Sequence, residues 1–484
     1  MRYRNLDVEL LNHRPLAKGG HRFDVRVRSD RVDLALAEEP SQLDHGGLAR
    51  LKALDQPGAA PEEWVRAGCA LRDALFPSRA REALTRARQV AAQADERIRL
   101  RVLTDAPALE ALPWEACHDP ARDADADPAD VDGFLAFDRT LCVVRRPRLG
   151  GEAAADLTTP RPGRPRVLVV TAEPGAPRLQ LEAEAEQIST TLGNHTPCVV
   201  VTCPHATRLA VLEALGRSTQ IFHFAGHGGF QRRMGLQPGV VSGEGVLVMH
   251  ADGEGEGTDP WPAASLGNAL RGSGVWLAVL NACESGLRDD GHPFSGVAAA
   301  LIRAGVPLVV AMQRRVGDQA ALAFSRLFYA ALARGECVEA AVSEGRLAMR
   351  ATGAILDALS VALTTRTEES VLFPTQGVPA VAADAGAPGR RQAPLPPPDR
   401  HALRAYLDRT VRSFDDLDLL LAAAEARLAN GPYAGPLNRD RIFGRDLPLP
   451  NALLKTVTWF EQRSLFGELV AAIGDTELGR ANPL

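Results

Sequence analysis

Between Val167 and Met349 the chain alternates between short apolar runs rich in β-branched residues and longer stretches with apolar residues at helical spacing. Strands are expected at Val167–Val170, at Cys198–Thr202, from Ile221, from Val275 and at Val306–Met312. Helices are expected at about Leu179–Leu192, Ala206–Leu215, Ala263–Leu270 and Phe294–Ala304, with two more between Gln319 and Met349. This order constrains the fold severely, because a strand, a crossover helix and a second strand of one sheet close in a single hand. The expectation is an α/β architecture with a mainly parallel sheet and helices on both faces.

Two of these strands end on reactive side chains. The first reads Ile221-Phe-His-Phe-Ala-Gly-His227-Gly-Gly229, and the second Val275-Trp-Leu-Ala-Val-Leu-Asn-Ala-Cys283-Glu-Ser-Gly286. Ligands of open parallel sheets bind outside the carboxyl ends of the strands, so His227 and Cys283 are expected on one edge. An imidazole beside a thiol lowers its pKa and later protonates the leaving group. The small residues that follow let backbone N–H groups approach a substrate carbonyl, which makes Gly228 and Cys283 the oxyanion-hole candidates.

Both motifs closely resemble the CHAT family of caspase-like cysteine peptidases, whose strands end in His-Phe-Ala-Gly-His-Gly and Asn-Ala-Cys-Glu-Ser-Gly. The resemblance implies a His227/Cys283 dyad in a caspase-haemoglobinase fold, with a protein as substrate and no cofactor or metal. The caspase signature itself differs around the cysteine, so aspartate-directed cleavage is not implied. Leu112-Pro-Trp-Glu115, Gly133-Phe-Leu-Ala-Phe137 and Cys142-Val-Val-Arg-Arg146 are similar to the segment preceding the peptidase half. On that basis residues 1–160 form a degenerate, non-catalytic caspase-like layer and 161–376 the catalytic half.

Composition sets the remaining bounds. At 484 residues the chain fits two or three domains, and its net charge of −5 with no polybasic arm gives no reason to expect nucleic acid or an anionic membrane as a partner. The seven scattered cysteines, without a paired spacing or a preceding hydrophobic signal, point to a reducing, cytoplasmic setting. Alternation of Phe23, Val25 and Val27, and then of Val32, Leu34 and Leu36, predicts an N-terminal hairpin or edge pair. Pro61 to about Ala94 reads as helical, and Ile98, Leu100 and Val102 between arginines as a strand.

Residues 377–399, rich in Pro, Ala and Gly, read as a linker. Beyond it, Leu417, Leu420, Leu421, Ala424 and Leu428 fall at helical spacing, so 400–484 are expected to form a small all-α domain. Its tail, from Trp459 to Val470, looks like the effector-associated adaptors of bacterial conflict systems. That resemblance implies a sensor or adaptor partner bearing a matching domain, in a defence or programmed cell death pathway.

Glu173, Asn281, Gln313 and Asp318 flank the dyad strands and are the substrate-binding candidates. Basic-specific relatives in the wider clan carry an acid at the place of Asn281, so an amide leaves this pocket uncommitted. His223 reads as a hydrogen-bonded core residue, and a zinc site from His223, His227, Cys198 and Cys203 lacks recognised ligand spacing. The glycines near Gly243 and Gly253 are not followed by Gly-Lys-Ser/Thr, and their acids repel phosphate. Gln231–Gly243 and Asp252–Thr258 have the composition of mobile loops that order around substrate. The main competing reading is a catalytically silent scaffold that assembles signalling partners.

Overall fold

The computed structural model describes residues 3–373 except 30–37, 57, 120–129, 149–164, 176–179, 196–197, 216–218, 235–240, 253–256, 285–292 and 369. Beyond them it describes Leu407, Leu417, 421–425 and Thr456. The chain divides into two compact units, Met1–Pro379 and Ala380–Leu484.

The first unit is built on one sheet of thirteen strands: β1 (Tyr3–Pro15), β2 (Gly20–Ser29), β3 (Glu39–Asp44), β4 (Arg97–Thr104), β5 (Leu141–Pro147), β6 (Arg166–Ala172), β7 (Val199–Cys203), β8 (Ile221–Met234), β9 (Val241–His250), β10 (Thr258–Pro262), β11 (Leu277–Glu284), β12 (Leu308–Met312) and β13 (Val361–Thr365). Short helices α1 (His45–Leu51), α4 (Pro107–Glu110) and α11 (Ile355–Ser360) sit among the connections. The longer ones are α2 (Pro61–Leu75), α3 (Ser78–Gln93), α5 (Leu181–His195), α6 (Arg208–Leu215), α7 (Ala263–Arg271), α8 (Pro293–Ala304), α9 (Asp318–Ala333) and α10 (Val338–Ala351).

The order across the sheet is β10-β9-β8-β11-β12-β13-β5-β4-β1-β2-β3, with β6 also on β8 and β7 on β6. Pairing is parallel from β7 through β6, β8 and β11 to β12, and again from β13 through β5 and β4 to β1. The antiparallel β12–β13 pair joins these blocks, and antiparallel strands form the β9–β10 and β2–β3 ends. The architecture is therefore mixed α/β around a mainly parallel sheet.

Strand alternation divides the interior into two cores. Val167 and Val169 of β6, Ile221 of β8, Leu277 and Val279 of β11, and Leu308 and Val310 of β12 pack on the face covered by α5, α9 and α10. Their neighbours Leu168, Val170, Phe222, Phe224, Ala278, Leu280, Val309 and Ala311 pack on the face covered by α6, α7 and α8. A strand buried on both faces has no polar side to show, which is why these segments read as continuous apolar runs.

The N-terminal strands follow the expected alternation, with Phe23, Val25, Val27, Ile98, Leu100 and Val102 all buried. Val32, Leu34 and Leu36 lie outside the described residues. Arg99 and Arg101 are buried as well, because the second face of β4 is also covered. Arg99 Nε lies 2.6 Å from Glu339, and Arg101 Nη1 lies 2.7 Å from Glu368. The helical stretch from Pro61 is two helices, interrupted where Phe76 leaves the helical region before Pro77.

Of the loop expected over Gln231–Gly243, residues 235–240 lie outside the described residues, and its two ends are a correction: β8 runs on to Met234 and β9 begins at Val241, paired antiparallel from His227↔Val248 to Met234↔Val241. Cross-strand backbone bonding organises a composition that by itself reads as loop. Residues 253–256 of the second expected loop lie outside the described residues, and Thr258 already begins β10. In the second unit Leu417, Leu421 and Ala424 are buried helical residues, at the spacing expected; the rest of 400–484, apart from Leu407, residues 422–425 and Thr456, lies outside the described residues.

Candidate active site

The geometry of the site begins with a change of partner along β8. From Ile221 to Gly226 this strand runs between β6 and β11, and from His227 onward β9 takes the place of β6. The exchange needs a residue without a side chain, since a Cβ on Gly226 would stand 2.2 Å from the Ala172 carbonyl oxygen at the end of β6. His227 is the next residue and is 4% exposed.

On the other side of β8 the register with β11 runs Asn281↔Ala225, Ala282↔Gly226, Cys283↔His227 and Glu284↔Gly228. Cys283, near the carboxyl end of β11, and His227, midway along β8 where its parallel pairing with β11 ends, are thus direct neighbours across strands whose backbones lie about 4.8 Å apart. Position 283 belongs to the same alternate set as Leu277, Val279 and Asn281, and position 227 to the same set as Ile221 and His223. Ile221, Leu277 and Val279 of those sets pack in the core beneath α5 and α9. Gly228, the oxyanion candidate, stands opposite both Glu284 and Leu247.

Behind the pair lies a buried polar cluster centred on Glu184, a residue that the sequence reading gave no role. Its carboxylate accepts from Asn281 Nδ2 at 2.7 Å (Oε1) and 2.8 Å (Oε2), and Oε1 also accepts from Ser325 Oγ of α9. His223 Nε2 is 3.3 Å from Oε1, while its Nδ1 is 2.9 Å from the Tyr329 hydroxyl. Burial, and then the Glu184 charge, push the Tyr329 hydroxyl well up, so it stays protonated and can donate to His223. His223 is thus a hydrogen-bonded core histidine, as its strand position suggested.

A sequence signal for Glu184 did exist. The buried stripe of α5 reads Leu181, Glu184, Ala185, Ile188 and Leu192, so an acid occupies an apolar position of an amphipathic helix.

The four substrate-binding candidates part company. Asn281 and Asp318 line one small cleft, open to solvent, together with Gln180, Glu184 and Gly226. Gln313 is buried, accepts from Arg145 Nη2 at 2.9 Å and donates its backbone N–H to Ser360. It belongs to an internal ion-pair network. Glu173, at the end of β6, donates its backbone N–H to His250 Nε2 at 3.3 Å. Burial lowers the His250 pKa, and the His205 ring beside it adds to the effect.

A second cysteine–histidine contact lies in the N-terminal part, with Cys69 Sγ 3.9 Å from His118 Nδ1. Burial pushes the Cys69 thiol up and the His118 imidazole down, which opposes the ion pair a nucleophilic thiolate requires. Burial likewise raises the thiols of Cys117, Cys142, Cys198, Cys203 and Cys337, the last to about 12. No group of three or more His, Cys, Asp or Glu among the described residues is placed to hold a metal ion. No described helix is long and apolar enough to cross a membrane.

The mainly parallel α/β sheet thus sets Cys283 of β11 in register with His227 of β8. Residues 65–371, more than half of the chain, match the CHAT domain family, and the chain belongs to it. Among curated proteins none matches. Two crystal structures of the Saccharomyces cerevisiae separase–securin complex are similar in part. The structure at 3.0 Å resolution shares 13% identity over 56% of this chain and 15% of that chain, with a TM-score of 0.32. For the structure at 2.6 Å resolution the values are 14%, 56%, 16% and 0.30. This chain therefore spans only about a sixth of the length of those chains.

Proposed function

We propose that the chain is a cysteine endopeptidase in which Cys283 is the nucleophile and His227 its proton partner. The observation that supports this most directly is the Cys283↔His227 register where the parallel pairing of β8 and β11 ends. His227 takes the thiol proton as sulfur attacks the scissile carbonyl carbon, and the carbonyl π electrons move onto oxygen. The N–H groups of Gly228 and Cys283 stabilise that oxyanion. Collapse breaks the C–N bond, the amine leaves with the proton held by His227, and a thioester remains. Water, deprotonated by His227, then hydrolyses the thioester and restores the thiol.

Membership of the CHAT family and the intact His-Gly and Ala-Cys pieces support this reading over a silent scaffold. The defence or cell-death setting, and recruitment of a sensor or substrate through residues 400–484, rest on the sequence resemblance. A peptidyl electrophile, with the labelled residue located by mass spectrometry, tests the chemistry. The expected result is one adduct on Cys283, absent in Cys283→Ala; labelling elsewhere, or cleavage retained in Cys283→Ala, refutes it. Truncation at Pro398 tests recruitment, with small-peptide cleavage expected to survive and cleavage of the natural target to fall.

A further inference from the structure

We infer that the cleft beside the dyad selects a cationic side chain, with Glu184 at its floor and Asp318 at its rim as the specificity-determining acids. This inference rests on the peptidase reading and names its substrate class. The cleft is lined by Gly226, adjacent to His227, and by Asn281, two residues before Cys283. A substrate residue whose carbonyl meets Cys283 therefore has its side chain next to this cleft.

Among the described residues the lining of the cleft contains two carboxylates and no lysine or arginine. Glu184 is 3% exposed, and a buried carboxylate normally sits against a cation. Its donors here are the Asn281 amide and the Ser325 hydroxyl, with His223 Nε2 3.3 Å away. The N-terminal turn of α5 supplies a further partial positive charge. The contacts are unequal. Oε1 is approached by Asn281, Ser325 and His223, whereas Oε2 accepts only from Asn281 among the described residues. A carboxylate oxygen has room for two donors, so Oε2 keeps an acceptor site for a substrate ammonium or guanidinium.

Asn281 therefore does not leave the cleft neutral. Its Nδ2 holds in place the acid that a helix brings to the same cleft, so an amide on β11 and an acid on α5 together do what an acid on the strand would do.

The test uses the full chain and three peptidyl acyloxymethyl ketones that differ only in the residue next to the electrophile: lysine, norleucine and aspartate. The lysine probe is expected to label Cys283 at least about 30-fold faster than the norleucine probe, the advantage of a hydrogen bond to a charged group. In Glu184→Gln the ratio is expected to fall below about 5-fold, and in Asp318→Asn, at the rim, by a smaller factor. Equal labelling by lysine and norleucine, or a ratio unchanged in both variants, overturns the inference while leaving the peptidase reading intact. If no probe labels Cys283, the peptidase reading fails, and binding of benzamidine against neutral benzamide decides the cleft alone. Thermal stabilisation by benzamidine that is lost in Asp318→Asn or Glu184→Gln supports the inference, and its absence in the wild-type chain overturns it.

Discussion

Two glutamates of the first unit are almost equally inaccessible and differ in nearly everything else. Glu115, in the N-terminal part, is fully buried and held by both arms of Arg145, Nε to Oε1 at 2.9 Å and Nη2 to Oε2 at 2.6 Å. Arg145 also donates to the carbonyls of Glu110 and Leu112 and to Gln313 Oε1. It stands on β5, whereas Gln313 directly follows β12, so the network fastens the two parallel blocks of the sheet together. Burial acts to raise the Glu115 pKa, but the Arg145 guanidinium outweighs it and holds the carboxyl below its usual range. Glu184 has neutral donors and opens on a cleft. A buried acid with a cation of its own serves the fold; one without, beside the dyad, is available to a ligand.

The largest effects separate the two regions. Cys283→Ala and His227→Ala should each reduce peptide cleavage by at least about 10⁴-fold with the fold retained, since residues of a catalytic unit act together. A residual activity near that of the wild type, measured with active-site titration, would break the contrast from the catalytic side.

Next is Glu115→Gln, expected to cost about 3–5 kcal/mol because Arg145 is left as a buried charge without its partner. The sign of its pH dependence is fixed by the depressed folded-state pKa. The ion pair contributes fully above the unfolded value of about 4.5 and is lost as pH falls through the lower folded value. Denaturant melts of wild type and variant should therefore differ most at neutral pH and converge in acid. A gap that widens below pH 4 contradicts the pairing.

Gly226→Ala should cost about 2–3 kcal/mol and slow cleavage, because the added methyl meets the Ala172 carbonyl and the end of β6 must move. Normal stability would show that β6 yields freely there. The smallest effect is the stability change of Glu184→Gln, about 1 kcal/mol at neutral pH, because its partners are neutral hydrogen-bonding groups. A loss as large as that of Glu115→Gln would make Glu184 a structural acid as well and erase the comparison.

Much of the architecture was legible in the chain. Helices α5 to α10 and strands β6, β7, β11 and β12 stand where periodicity placed them, because core strands covered on both faces and amphipathic helices leave strong local patterns. The motif ending in His227 and the one ending in Cys283 were equally plain, each an apolar run meeting small residues. The β8–β9 hairpin was not, since its Gly-rich sequence resembles loop until a partner strand supplies the backbone bonds. β13 was missed for a related reason: Val361–Thr365 follows α11 without a break, and the neighbours β12 and β5 make it a strand.

By itself the sequence determined that strands and helices alternate, that two strands carry a histidine and a cysteine, and that small residues surround both. Local periodicity encodes such features within a few turns of chain. Tertiary structure decided which strands are neighbours, and so that Cys283 lies in register with His227 across 55 residues of intervening chain. It also decided that Gln313 is held by Arg145, and that Glu184 joins Asn281 from 97 residues away. Charge in a pocket is a sum over elements brought together by folding, and no single segment carries it.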